Sequence, residues 1–104
     1  MPAKYQVEVT PSAERDTEEI WTYISHDSPA KASLFILQLE KQLKTLEQFP
    51  LRCPLIPENE VLGTSYRHLL YGDYRSVIKI LEKTVYVMRI IHGSRLLDTS
   101  YFEE

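Results

Sequence analysis

Two dipeptides constrain this chain more than anything else in it: Thr10-Pro11 and Ser28-Pro29. In each, a hydroxyl able to accept a free backbone N–H of a first helical turn stands before a proline. The fixed φ of proline suits the first helical position. Behind Thr10, the residues Ala13, Thr17, Ile20, Trp21 and Ile24 recur at helical spacing and form one stripe, with Glu14, Asp16, Glu18 and Glu19 falling largely outside it. The early acids also complement the helix dipole. Behind Ser28, the residues Ala32, Phe35, Ile36, Leu39, Leu43 and Leu46 form the apolar face of a longer helix that runs roughly to Phe49, where Pro50 ends it. Only a few residues around His26-Asp27-Ser28 separate the two, so an antiparallel αα-hairpin is expected. The heptads are too few to support a coiled coil.

The rest of the chain reads as strands. Residues 4–10 alternate Tyr5, Val7 and Val9 against Lys4, Gln6 and Glu8, the period-two pattern of a half-buried strand. Pro50, Pro54, Pro57 and Gly63 make 50–65 an irregular connector. The run YRHLLY follows as a strand, and Gly72-Asp73 marks a turn. Then YRSVIKILE and TVYVMRII follow as two β-rich runs, with a short turn near Glu82–Thr84. Neither run alternates cleanly, which points to burial on both faces or a central place in the sheet. The order β-α-α-β-β-β implies an α+β fold, an antiparallel sheet with the helical hairpin packed on one face.

Size and composition fit that reading. A chain of 104 residues suits one domain, 1–104, and its 43% hydrophobic content is enough for a modest core. No apolar run approaches a membrane span of ~20 residues, and no hydrophobic region follows Lys4, so neither a membrane anchor nor a signal peptide is expected. The single Cys53 cannot form an internal disulfide, which fits a reducing cytoplasm. With a net charge of −3 a strongly basic nucleic-acid footprint is absent overall, which leaves room only for a local patch.

Most familiar catalytic signatures are missing. There is no phosphate-binding glycine loop. His26, His68 and His92 lack metal-ligand spacing, and one cysteine makes no zinc set, so no metal or other cofactor is expected. The informative part is the C-terminal half. Arg67, Arg75, Arg89 and Arg95 lie on or beside predicted strands, interleaved with Tyr66, Tyr71, Tyr74, Tyr86 and Tyr101, and His92 precedes Gly93. Arginines on a sheet can grip phosphate or stabilise developing charge, while tyrosine and histidine can stack on bases or move protons. The plainer alternative is that strand arginines pair with neighbouring acids and strand tyrosines fill cores.

The element order, with Tyr74-Arg75 opening a strand at YRHLLYGDYRSVIKI (66–80) and His92-Gly93-Ser94-Arg95 closing VMRIIHGSR (87–95), resembles the ParE/RelE toxin superfamily over nearly the whole chain. The resemblance implies a small twisted antiparallel sheet on a helical hairpin. It also implies the toxin role in a type II toxin–antitoxin (plasmid stabilisation) system, with growth inhibition relieved by a cognate antitoxin in a hetero-oligomer. RelE-like members cleave mRNA on the ribosome without metal. For that activity the resemblance maps Arg75, Arg95 and Tyr101 onto catalytic positions. Arg67 stands in for one family lysine, and a second lysine would align near the apolar Leu69. ParE-like members bind and poison DNA gyrase, and His92-Gly93-Ser94-Arg95 is closer to their ending. The acidic balance also fits poorly with ribosomal RNA, whose binding relies on phosphate neutralisation. The gyrase branch is therefore the favoured reading, with His92 and Arg89 as binding residues. A ribonuclease, or an inactive binding module on the toxin fold, is the alternative. Arg75 is also a candidate structural residue in either branch, pairing for instance with an acid of the first helix. Leu34 and Leu37, outside the main stripe of the second helix, are expected to meet the antitoxin.

Overall fold

Thr10 caps its helix as its place before Pro11 predicts, and it does more than that. In the computed structural model, which describes residues 4–102, its hydroxyl accepts the Ala13 N–H (3.2 Å) and is itself shared between the carbonyls of Val87 (2.8 Å) and Met88 (3.0 Å). One side chain thus ends strand β1 (Gln6–Val9), starts helix α1 (Pro11–Ser25) and pins both to the last strand. Ser28 caps helix α2 (Pro29–Lys44) by accepting the Lys31 N–H. The two helices pack as the expected hairpin, and the Trp21 indole N–H donates across it to the Ser33 hydroxyl (3.2 Å).

α2 stops five residues short of the expected Phe49. A 3₁₀ turn continues it over Thr45–Glu47, and Phe49 then adopts a left-handed backbone (φ +49°) before Pro50 opens a second 3₁₀ turn. The right-handed helical region is disfavoured for a residue before a proline, and Phe49 lies outside it. The connector contains one short helix, α3 (Asn59–Leu62), closed by Gly63 at φ +67°.

The sheet comprises β1, β2 (Arg67–Tyr71), β3 (Tyr74–Leu81) and β4 (Thr84–His92) in the spatial order β1-β4-β3-β2. The later three strands are antiparallel, as expected, and are joined by two-residue turns at Gly72-Asp73 and Glu82-Lys83. β1 departs from the expectation: it pairs with β4 in parallel, so the sheet is mixed. Beside the final strand, it runs in the same direction as that strand. Hydropathy alternation reads the same in either direction and carries no information on this point.

β4 carries a bulge. Ile78 pairs with Val87 but Val77 pairs with Arg89, leaving Met88 as the extra residue. One added residue reverses the alternation of faces. Val85 and Val87 before it and Ile90 after it therefore all face the hairpin, in one core with Ala13, Ile20, Leu39, Leu43, Leu46 and Ile78. Each buried valine, leucine or isoleucine among them contributes about 1.5–3 kcal/mol.

The other face of the sheet is covered too. Val77 and Ile91 point away from the helices and meet Ile56 from the connector and Leu97 from the C-terminal segment, with Leu62, Tyr66, Tyr101 and Phe102 around them. This second core explains why the β3 and β4 runs do not alternate: both strands are central and covered on both sides. Among the described residues, no helix is long and apolar enough to cross a membrane.

Candidate functional site

β1 ends opposite Val87, so β4 runs on for five more residues with no strand on that side. α1 lies beside this uncovered edge, and between them opens a groove of about 830 Å³. Ile20, Tyr23, Ile24, Phe35 and Tyr74 supply its apolar wall; Asp16, Glu19, Asp73, Arg89, His92, Ser94 and Arg95 supply its polar groups. A smaller hollow of about 450 Å³ along β1 is lined by Lys4, Tyr5, Gln6, Val7, Glu8 and Glu47, none of them a candidate site residue.

Asp16 organises the groove. Its carboxylate receives Arg89 Nε (2.7 Å) and Nη2 (2.9 Å) and the Ile90 backbone N–H (2.9 Å), filling the place a neighbouring strand would take. The remaining terminal nitrogen of Arg89 donates to the Tyr101 carbonyl (2.9 Å), and the guanidinium lies 4.9 Å from the centre of that tyrosine ring. The Asp16 carboxylate raises the Arg89 pKa above its ordinary value. Asp16, grouped by the sequence reading with the acids largely outside the apolar stripe, is buried. The spacing held the signal: Ala13, Asp16, Ile20 and Ile24 lie at i, i+3, i+7 and i+11. An acid within an apolar stripe needs a buried cation as its partner. Trp21, placed in that stripe, is 38% exposed.

At the open end of the groove, His92 Nδ1 accepts the Ser94 N–H (3.2 Å) and lies 2.7 Å from the Ser94 hydroxyl. With Nδ1 accepting, the proton of the neutral ring sits on Nε2. Edge-on aromatic contacts link His92 to Tyr74 (5.5 Å) and Tyr74 to Phe35 (5.7 Å), so the imidazole is braced from behind. Burial, then the neighbouring Tyr23 and Asp73, push the Tyr74 phenol pKa up. Arg95 is exposed beside this cluster.

The other candidates lie elsewhere. Arg75 is on the face of the second core. It pairs with Glu58 through both terminal nitrogens and donates to the Arg95 carbonyl (2.7 Å). Arg75 Nη1 also lies 3.4 Å from His68 Nδ1. Glu58 also accepts the Leu97 N–H (3.1 Å). The acid of the first helix therefore takes Arg89, and Arg75 takes an acid of the connector that the sequence reading passed over. The Arg75 hydrogen bond, with help from the Leu97 N–H, lowers the Glu58 pKa to about 2, while burial, then Arg75, lower that of His68. Arg67, on the opposite edge of the sheet, donates to the carbonyls of Leu51 (3.2 Å) and Cys53 (2.6 Å). Tyr101 packs under Arg89 with its ring in the second core. Leu34 and Leu37 are 57% and 49% exposed on α2. The fold thus brings together Arg89, His92 and Arg95 on the groove and keeps Arg67 and Arg75 away from it. Among the described residues, no cluster of histidine, cysteine and acid side chains could hold a metal ion.

Comparisons with known proteins agree with this architecture. Residues 7–97 match the family described as the ParE toxin of the type II toxin–antitoxin system, parDE. No curated protein matches in sequence. Among solved structures, the chain is similar to one from the chromosomal ParDE toxin–antitoxin system of P. aeruginosa, with a TM-score of 0.69 and 21% identity over 88% of this chain and 98% of that one. It is also similar to a chain of the RelBE2 toxin–antitoxin complex of Mycobacterium tuberculosis, with a TM-score of 0.57 and 25% identity over 86% of this chain and 98% of that one. With the family matched from β1 to the C-terminal segment, the chain belongs to the ParE toxins of type II toxin–antitoxin systems.

Proposed function

We propose that this toxin acts by binding and inhibiting DNA gyrase rather than by cleaving mRNA, and that an antitoxin neutralises it in a hetero-oligomeric complex. The observation that carries the choice is where the arginines are spent. A metal-free ribonuclease needs cationic groups free to meet a phosphate and groups free to move protons, all within reach of one 2′-hydroxyl. Here Arg75 is buried on Glu58, Arg67 is engaged by two main-chain carbonyls on the far edge, and Arg89 is held by Asp16 and Tyr101. These guanidiniums brace the fold. Arg95 and His92, both exposed at one end of the groove, make a patch suited to binding. The net charge of −3 supports the same choice. An antitoxin partner is supported by the two structural relatives, each of which comes from a toxin–antitoxin system.

The deciding experiment adds the purified chain to a gyrase supercoiling assay and, separately, to a translating extract probed for mRNA cleavage. Inhibited supercoiling with intact mRNA is the expected result. Cleavage that depends on translation and is lost in Tyr101→Phe would replace this reading with the RelE-like one. Neither effect would leave an inactive binding module.

A further inference from the structure

We propose that Arg89 couples the groove wall to the C-terminal segment, so that loosening either one loosens the other. The coupling is built from one guanidinium. Its Nε and Nη2 face Asp16 on the groove wall, and its Nη1 and flat face hold the Tyr101 carbonyl and ring at the far end of the segment. The segment begins at the groove as well, because Ser94 and Arg95 line it. Between these two ends it is held by the Glu58–Arg75 pair, through the Arg95 carbonyl and the Leu97 N–H, and by Leu97 seated in the second core.

An acceptor group entering the groove would meet Arg89 and Arg95 beside the acids Asp16, Glu19 and Asp73, and would compete with Asp16 for Arg89. Arg89 makes its contacts with Asp16 and Tyr101 together, so turning it toward a third acceptor removes the tie on Tyr101. Release would uncover Ile91, Val77 and Ile56, an apolar surface on the opposite side of the sheet from the hairpin. Coupling of this kind is reciprocal: loosening the segment must also loosen the groove wall. The biological use of the coupling rests on the groove being a partner site. The coupling itself is a property of the free chain and is tested without gyrase or antitoxin, so the two readings fail separately.

The test is residue-resolved amide hydrogen exchange on the full chain, comparing wild type with Asp16→Asn and Tyr101→Ala. The Leu97 and Tyr101 amides report the segment, the Ile90 amide reports the groove wall, and the Ile78 amide reports the core. In Asp16→Asn, exchange at Leu97 and Tyr101 is expected to speed up by about tenfold or more beyond any change at Ile78, the signature of local rather than global opening. In Tyr101→Ala, the Ile90 amide is expected to lose protection in the same selective way. Three results would each overturn the coupling: segment amides unchanged in Asp16→Asn, segment and core amides accelerated by the same factor, or Ile90 unchanged in Tyr101→Ala. The second would reduce Arg89 to an ordinary stabilising ion pair.

Discussion

Glu58 and Arg75 meet through two parallel hydrogen bonds inside the protein, the residues 8% and 4% exposed. The pair joins three segments distant in sequence: the connector, the centre of the sheet and, through the Arg95 carbonyl and the Leu97 N–H, the C-terminal segment. A buried pair of this kind adds modest net stability when intact, but removing one member leaves an uncompensated charge. Arg75→Ala is expected to destabilise the fold by about 3–5 kcal/mol, read from urea unfolding. A loss no larger than that of an exposed arginine would contradict the structural role given to it.

The same cluster predicts a particular acid sensitivity. The Glu58 carboxyl is lowered in the folded state from its ordinary 4.5 to about 2, chiefly by the Arg75 hydrogen bond. Its stabilisation is therefore complete above pH 4.5 and is lost as the pH falls toward about 2, a change of up to about 3 kcal/mol. His68 acts earlier. Burial and Arg75 hold its ring below the ordinary 6.5, so the fold favours the neutral form and stability starts to fall as the pH drops below 6.5. Unfolding free energies measured from pH 8 to pH 2 should show both limbs. Glu58→Gln should flatten the lower limb and His68→Asn the upper one.

Glu82 lies in the two-residue turn between β3 and β4 at φ +55°, where glycine would carry no Cβ penalty. Relief of that strain, set against the greater freedom of glycine in the unfolded chain, predicts that Glu82→Gly raises stability by about 0.5–1 kcal/mol. Thermal unfolding checks this, and a lower Tm would show that the side chain contributes a contact.

Leu34 and Leu37 allow folding and the proposed partner binding to be tested separately. Both are exposed on α2, and glutamine matches leucine closely in helix propensity, so Leu34→Gln/Leu37→Gln should change stability by no more than about 0.5 kcal/mol. If the antitoxin covers this face, the double variant should bind it about tenfold or more weakly by calorimetry, while toxicity toward gyrase is retained. Unchanged affinity would place the antitoxin elsewhere on the toxin.

Local signals in this chain were legible without tertiary structure. Thr10-Pro11, Ser28-Pro29 and Gly72-Asp73 each act within a few residues, so the helix starts and the β2–β3 turn could be read directly. The broken alternation of β3 and β4 likewise announced burial on two faces. The family was also readable, because Tyr74-Arg75 and His92–Arg95 stand at a spacing that motif reading can use. Three features were decided only by tertiary structure: the parallel direction of β1, the bulge at Met88 and the partners of the arginines. Each depends on pairing between separate elements rather than on neighbours in the chain. Asp16 and Arg89 are 73 positions apart, and Glu58 and Arg75 are 17 apart. A sequence shows that a buried charge needs a partner; which acid reaches which arginine depends on how the hairpin and the connector fold over the two faces of the sheet.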